Sequence, residues 1–285
     1  MSKYSRLRDR VERELVDVDL LEPEPANDAT LALAHDRAYV ERVVGGHLSA
    51  REQRTIGFPW SECMVERSRR SVGATIGACR VALAEGVAVN LAGGTHHAMR
   101  DAGQGYCVFN DAAIATLAVQ QELASERRSR VAIIDLDVHQ GNGTASILAG
   151  NDASFTLSIH CEANFPFRKE RSDLDVGLQD GAGDDEYLAA LDGALETMRG
   201  RFAPDLLIYL AGADPHEGDR LGRLKLSFDG LERRDRRVFD LARDLDVPIA
   251  VTMAGGYGRD IEQSVTVHMN TVRAACDLWR MRRGR

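Results

Sequence analysis

The sequence predicts an α/β fold built on a parallel sheet, and two observations carry that prediction. From Gly86 onward, short apolar, β-branched runs alternate with segments of helical spacing, the signature of successive βαβ units. Four of these runs also lead straight into glycine, histidine, aspartate or tyrosine. That is the pattern of an open parallel sheet, whose chemistry gathers beyond the carboxyl ends of its strands.

Taken in order, the chain opens with a charged helix over about 5–18. It ends at Leu21-Glu-Pro-Glu-Pro-Ala-Asn27, where two prolines make a loop rather than a domain boundary. Residues 35–44 have helical spacing and stop at Gly45-Gly46, and a longer helix follows over 62–85. The second half of that helix is rich in small residues (Gly73, Ala74, Gly77, Ala78, Ala82, Ala84), which favours close packing. Strands are predicted at 87–91, 131–135, 154–160, 205–210 and 248–253, with helices at about 111–125, 184–200, 228–245 and 261–282. No internal repeat or low-complexity tract interrupts them.

At 285 residues the chain can bury a sizeable core, and 44% hydrophobic with 28% charged residues is ordinary for a soluble globular protein. No apolar run approaches a membrane span, and the charged start, Met1-Ser-Lys-Tyr-Ser-Arg6, has no apolar stretch behind it. The expectation is a cytoplasmic protein without a signal peptide. The five cysteines, Cys63, Cys79, Cys107, Cys161 and Cys276, are odd in number, scattered and free of C-x-x-C spacing. They argue against a disulfide framework or a thiolate metal site. A net charge of −8 gives no general attraction to nucleic acid or anionic membrane, and the basic clusters at 126–130 and 280–285 are short enough to be solvated surface.

The chemistry concentrates at the predicted strand ends. In an extended segment Asp135, Asp137 and His139 share one face, and two carboxylates with an imidazole are donors that a divalent metal gathers. Asp214, after Ala211-Gly-Ala213, would add a third ligand and leave a coordination position free; before Pro215 it fits a helix N-cap equally well. The tandem His96-His97 behind Gly93-Gly94 could supply a general base and a charge stabiliser, or could be an inert turn. Tyr257, after Gly255-Gly256, could donate its phenolic hydrogen to an oxyanion, or simply pack at a turn. Tyr106, Phe165 and Phe167 could line an apolar channel or belong to the core.

His96-His97, Gly105-Tyr-Cys-Val-Phe-Asn-Asp111, Asp135-Leu-Asp-Val-His-Gln-Gly-Asn-Gly143, Ala211-Gly-Ala-Asp214 and Gly255-Gly-Tyr257 resemble the successive motifs of the histone deacetylase superfamily of zinc-dependent amidohydrolases. They occur in the family's order and cover about Leu33 to the C-terminus. Asp214-Pro-His-Glu-Gly-Asp-Arg-Leu-Gly222 and the Gln140-Gly-Asn-Gly143 ending are similar to the class IV branch and its bacterial relatives. The resemblance implies a three-layer α/β/α fold with a central, mainly parallel sheet, the arginase/deacetylase fold, in a single catalytic domain over residues 1–285. Since the family usually opens with a strand and a rim loop, the expectation is either that the start lies further upstream than Met1 or that the protein lacks that strand and part of the rim.

By the same resemblance Asp137, His139 and Asp214 hold zinc, His97 is the general base, His96 its electrostatic partner, and Tyr257 polarises the acyl carbonyl. Gly105, Tyr106, Phe165 and Gly256 would meet the substrate, with Tyr106 and Phe165 facing each other across an acyl-lysine channel. Asp135 would pair with His96 and, with Ser158 and backbone carbonyls, bind a structural potassium ion. Asn142 stands behind His97 where many members carry aspartate. A neutral amide orients the ring but does not favour its cation, so His97 should be less basic than an aspartate-backed equivalent. The implied activity is zinc-dependent hydrolysis of an acyl-lysine amide. Hydrolysis of an acetylpolyamine or another small acylated amine is the enzymatic alternative, and a non-catalytic acyl-lysine-binding protein the alternative of another class. An acylated protein lysine or small acylated amine is then the partner, with no direct nucleic-acid or membrane contact.

Overall fold

A computed structural model describes residues 2–124 and 129–284. In chain order the elements are α1 (Ser2–Glu14), α2 (Asp28–Leu31), α3 (Arg37–Val44), α4 (Ala50–Ile56), α5 (Glu62–Glu85), β1 (Val87–Asn90), α6 (Asp111–Glu122), β2 (Val131–Asp135), α7 (Asn142–Leu148), β3 (Ser154–Cys161), β4 (Leu174–Leu178), α8 (Asp184–Arg201), β5 (Leu206–Leu210), α9 (Phe228–Asp244), β6 (Ile249–Thr252) and α10 (Ile261–Arg283). Ser125, where the sequence ended a helix, and part of each basic cluster lie outside the described residues. No helix among the described residues is long and apolar enough to cross a membrane.

Six parallel strands form one sheet in the order β1-β6-β5-β2-β3-β4. Every residue of β2, β3, β5 and β6 is buried, as expected of parallel strands covered on both faces. The alternation along β2 assigns the two cores: Ala132 and Ile134 pack with α1, α8, α9 and α10, whereas Val131 and Ile133 pack with α3, α5 and α6. The result is three layers, helices on each side of the sheet. Side-chain caps start several helices, with Ser61 accepting from the Met64 amide, Asn110 from Ala113 and Ser227 from Gly230.

The edge strand β4 was absent from the sequence prediction. Leu174-Asp-Val-Gly-Leu178 is five residues of alternating exposure with a glycine and an aspartate inside it, a weak strand signal that only pairing with β3 resolves. The short helices α2, α4 and α7 were likewise not predicted. At four to seven residues they have no usable periodicity, and α4 rests on a capping box between Ser49 and Glu52.

Register is what builds a site from this sheet. Asn90 pairs with Thr252, Thr252 with Leu210, and Leu210 with Asp135, so four strands end level with one another. The loops that leave those ends carry His96 and His97, Tyr257, Asp214, and Asp137 with His139. All of them are therefore delivered to one edge of the sheet.

A buried ion pair sits below that edge. Arg234 on α9 is fully buried, pairs with Asp235 at 2.8 Å, and donates to the Gly212 carbonyl at 2.6 Å and the Leu136 carbonyl at 3.3 Å. Asp235 in turn accepts from the Tyr209 and Thr271 hydroxyls. The two carbonyls belong to the loops that carry Asp214 and Asp137, so the pair ties both loops to the helical layer.

Candidate active site and metal centre

β2 ends at Asp135, so strand alternation does not continue to Asp137 and His139. A turn brings them together instead. The Asp137 carboxylate accepts from the His139 amide and from His139 Nδ1, each at 3.0 Å, and Asp214 Oδ2 lies 3.4 Å from the same nitrogen. One ligand atom from each of Asp137, His139 and Asp214 falls within a 4.8 Å group. No helix begins after Pro215, which removes the N-cap reading of Asp214.

The remaining oxygens are held by backbone amides: Val138 donates to Asp214 Oδ1 at 2.9 Å and Gly255 to Asp137 Oδ2 at 2.8 Å. Asp214 Oδ2 is buried and has no hydrogen-bond partner. Glycine is required around it, since a Cβ on Gly255 would fall 1.9 Å from Asp214 Oδ2 and 2.5 Å from Asp137 Oδ2. Burial works against ionising Asp137, yet His96 and His139 hold its carboxyl well below the usual range. Burial, then the charge of Asp137, pushes Asp214 up to about 6. Burial also opposes a His139 cation, but the two carboxylates overcome it and push the imidazole up to about 10. Two oxygen donors, one imidazole nitrogen, an orphaned buried oxygen and a surplus of negative charge fit a divalent metal such as zinc.

The histidine loop is shaped by Gly93 and Gly94, at φ 81° and 73°, and by the buried Asp111 carboxylate. Asp111 accepts from the amides of Gly94 and Thr95 and from the hydroxyls of Thr75 and Thr95. The His96 and His97 rings lie 4.1 Å apart, both buried. His96 Nδ1 meets Asp135 Oδ2 at 2.6 Å, whereas His97 Nδ1 donates to Asn142 Oδ1 at 2.8 Å.

That difference, with the charges around each ring, separates their basicity. Burial lowers both, but the charges of Asp135 and Asp137 carry His96 up to about 9. For His97, burial and then the charges of His96 and His139 take it well below the ordinary imidazole value, and the Asn142 amide recovers only part of this. The surroundings therefore favour the charged form of His96 and the neutral form of His97.

Tyr257 is fixed through its backbone. Its N–H donates to the buried Asp219 at 2.6 Å, and its carbonyl accepts from Arg220 Nε at 3.1 Å. Ala254 at φ 52° and Gly256 at φ 139° shape the loop, and Lys3 Nζ holds the Ala254 carbonyl at 3.0 Å. Burial, and then Tyr4, raises the phenol, so Tyr257 keeps its proton and remains a donor.

The aromatic residues each have ring contacts of their own. Tyr106 packs against Phe58 at 5.3 Å and Tyr257 at 5.6 Å, while Phe165 stands edge-on to His97 at 4.9 Å and to Phe167 at 6.4 Å. Gly105, at φ 55°, sits between the groups: a Cβ there would come within 2.7 Å of His97 Cδ2 and 3.0 Å of Phe165 Cε1. Ser158 pairs with Asp135 in the sheet, but its hydroxyl meets His160 Nδ1 at 3.0 Å.

Sequence reading passed over Asp111, Asp219, Arg234, Lys3 and Phe58. Asp111 and Asp219 sit inside the quoted motifs as polar residues beside glycine-rich turns, which was the available signal. Nothing local marks Arg234 or Lys3, whose partners lie far away in the chain.

A family profile for the histone deacetylase domain matches residues 1–272. An uncharacterized protein of Picosynechococcus sp. is 45% identical over 258 residues, covering 90% of this chain and 85% of that protein. Histone deacetylase 2 of Arabidopsis thaliana is 36% identical over 248 residues, 84% of this chain and 63% of that protein. The fold is shared with the crystal structure of a histone deacetylase homolog from Aquifex aeolicus, at a TM-score of 0.81 and 24% identity over 97% of this chain and 77% of that one.

Proposed function

Since the chain belongs to the histone deacetylase family, we propose that it hydrolyses the amide of an acylated amine, foremost an acyl-lysine, with zinc held by Asp137, His139 and Asp214. When bound, the ion supplies Lewis acidity toward the acyl carbonyl and the attacking water. The protein's own groups account for the rest of the chemistry.

His97 Nε2 takes a proton from the attacking water, because Asn142 occupies Nδ1–H and burial keeps the ring neutral. The same nitrogen then returns the proton to the leaving amine. His96, held as a cation by Asp135, offsets the negative charge that builds on the acyl oxygen, and the Tyr257 hydroxyl donates to that oxygen. Gly105, Phe165, Tyr106 and Gly256 form the substrate side, and an aromatic wall beside His97 suits the methylene stem of a lysine.

The observation that carries this reading is the arrangement of two buried histidines in ring contact next to the ligand cluster, one bonded to the Asp135 carboxylate and the other to the Asn142 amide. A protein that only bound acyl-lysine would need neither a neutral base nor a phenol donor. All the acting groups hang from one sheet, so the chain is read as one catalytic unit.

The test is turnover by purified, zinc-loaded protein on acetyl-lysine and longer acyl-lysine peptides and on an acetylated polyamine, with Asp214→Ala and Tyr257→Phe as controls. Zinc bound at one ion per chain without hydrolysis of any substrate would sink the proposal.

A further inference from the structure

Arg67 on α5 is half-buried, with its guanidinium carbon 5.1 Å from the centre of the Phe58 ring. Among the described residues it has no ion-pair or hydrogen-bond partner. Its neighbours on the same helix differ: Arg69 pairs with Asp28, Arg70 with Glu22 and Glu66, and Arg80 with Glu122. Burial pushes the Arg67 guanidinium below its ordinary value, and the groups acting the other way are Tyr4, Cys63 and Tyr257, none of them a carboxylate.

The position of this cation gives it a role. Phe58 packs at a tilt against Tyr106, which is 45% exposed, and Tyr106 likewise against Tyr257, so Arg67 stands at the Phe58 end of an aromatic row that leads to the proposed oxyanion donor. Lys3 approaches the same row from α1, with Nζ 5.8 Å from the Tyr257 ring, 4.9 Å from the Tyr4 ring, and no carboxylate partner among the described residues. In a protein of net charge −8, Arg67 and the buried Lys3, whose Nζ holds the Ala254 carbonyl, are thus two cations without carboxylate partners among the described residues beside this row. A guanidinium backed by a ring, with its fork unfilled, is matched to a carboxylate, which it can take with two parallel hydrogen bonds.

We propose that Arg67 receives a carboxylate of the acylated substrate. The preferred substrates are then acyl-lysines flanked by acidic residues, and polycationic acylamines are disfavoured by the same wall. This rests on the amidohydrolase reading above for the placement of the acyl group. The test uses an acetyl-lysine peptide with glutamate on both sides, its glutamine twin, and N-acetylspermidine. Initial-rate kcat/KM is measured on the wild type. Dissociation constants come from competition against a labelled peptide on the zinc-loaded Tyr257→Phe protein, with and without Arg67→Gln or Arg67→Lys.

The glutamate peptide should bind about fivefold more tightly than its twin, with acetylspermidine weakest. That ratio should fall to about one in Arg67→Gln at unchanged circular dichroism and be intermediate in Arg67→Lys, which keeps the charge and loses the fork. Equal binding of the twins, a ratio that survives Arg67→Gln, or no binding of either peptide overturns the proposal. A ratio that follows Arg67 while no substrate is hydrolysed supports the subsite and rejects the amidohydrolase reading, so the two failures are separable.

Discussion

Replacing Asn142 with aspartate should move the pH dependence of activity, and the structure sets both direction and size. His97 donates Nδ1–H to the Asn142 carbonyl at 2.8 Å, and burial with the charges of His96 and His139 holds it well below the ordinary imidazole value. As a base it works while neutral, so the acidic limb of kcat/KM should lie below the usual histidine range and the profile should be flat through neutrality. A carboxylate at the same distance favours the imidazolium. His96 shows how strongly: equally buried, but 2.6 Å from Asp135 and near Asp137, it rises to about 9. In Asn142→Asp the limb should climb by about one to three pH units, which is about 1.4–4 kcal/mol of added preference for the cation. The assay is kcat/KM on an acetyl-lysine peptide between about pH 5 and pH 9. An acidic limb at the same pH in both proteins would refute the assignment of His97 as the base and of Asn142 as the group that sets its strength.

Asp214→Asn should cut zinc content from one ion per chain to about a tenth of that under dialysis, read by elemental analysis, because it removes the orphaned anionic oxygen of the ligand group. Gly255→Ala should weaken zinc binding while leaving far-UV circular dichroism intact, since its Cβ would fall 1.9 Å from Asp214 Oδ2; unchanged retention against a chelator would contradict this. Tyr257→Phe should lower kcat about 100-fold with little change in KM, the cost of one oxyanion donor; a loss confined to KM would move Tyr257 from donor to binding surface. Arg234→Met should destabilise the fold by about 3–5 kcal/mol in a urea titration, because Asp235 is left buried and unpaired, and the double variant with Asp235→Leu should recover part of that loss.

How much of the site is legible in the chain depends on how local each contact is. Asp137 and His139 are two residues apart and are held by a turn that Asp137 itself closes, so their partnership is written into a short stretch. The parallel sheet was readable for a similar reason. Central strands buried on both faces favour continuous apolar runs, and β2, β5 and β6 come close to them, whereas β3 alternates apolar residues with buried Ser154, Thr156, Ser158 and His160. The edge strand β4 lacks that requirement on its exposed side, and it was missed.

Residue types and their order along the chain were enough to predict which strands end in chemistry, which side chains can bind a metal, and which can move protons. The expectation of a weak base at His97 came from the family resemblance, which places the neutral amide of Asn142 behind that ring. Tertiary structure decided the rest. It set the basicity of His96 against that of His97, the removal of the N-cap alternative for Asp214, the packing of Tyr106 against Phe58, and the Arg234 contact beneath both ligand loops. The physical reason is that desolvation and Coulomb energies depend on distances between groups that are remote in sequence. Those distances exist only once four strand ends have been brought level in one sheet.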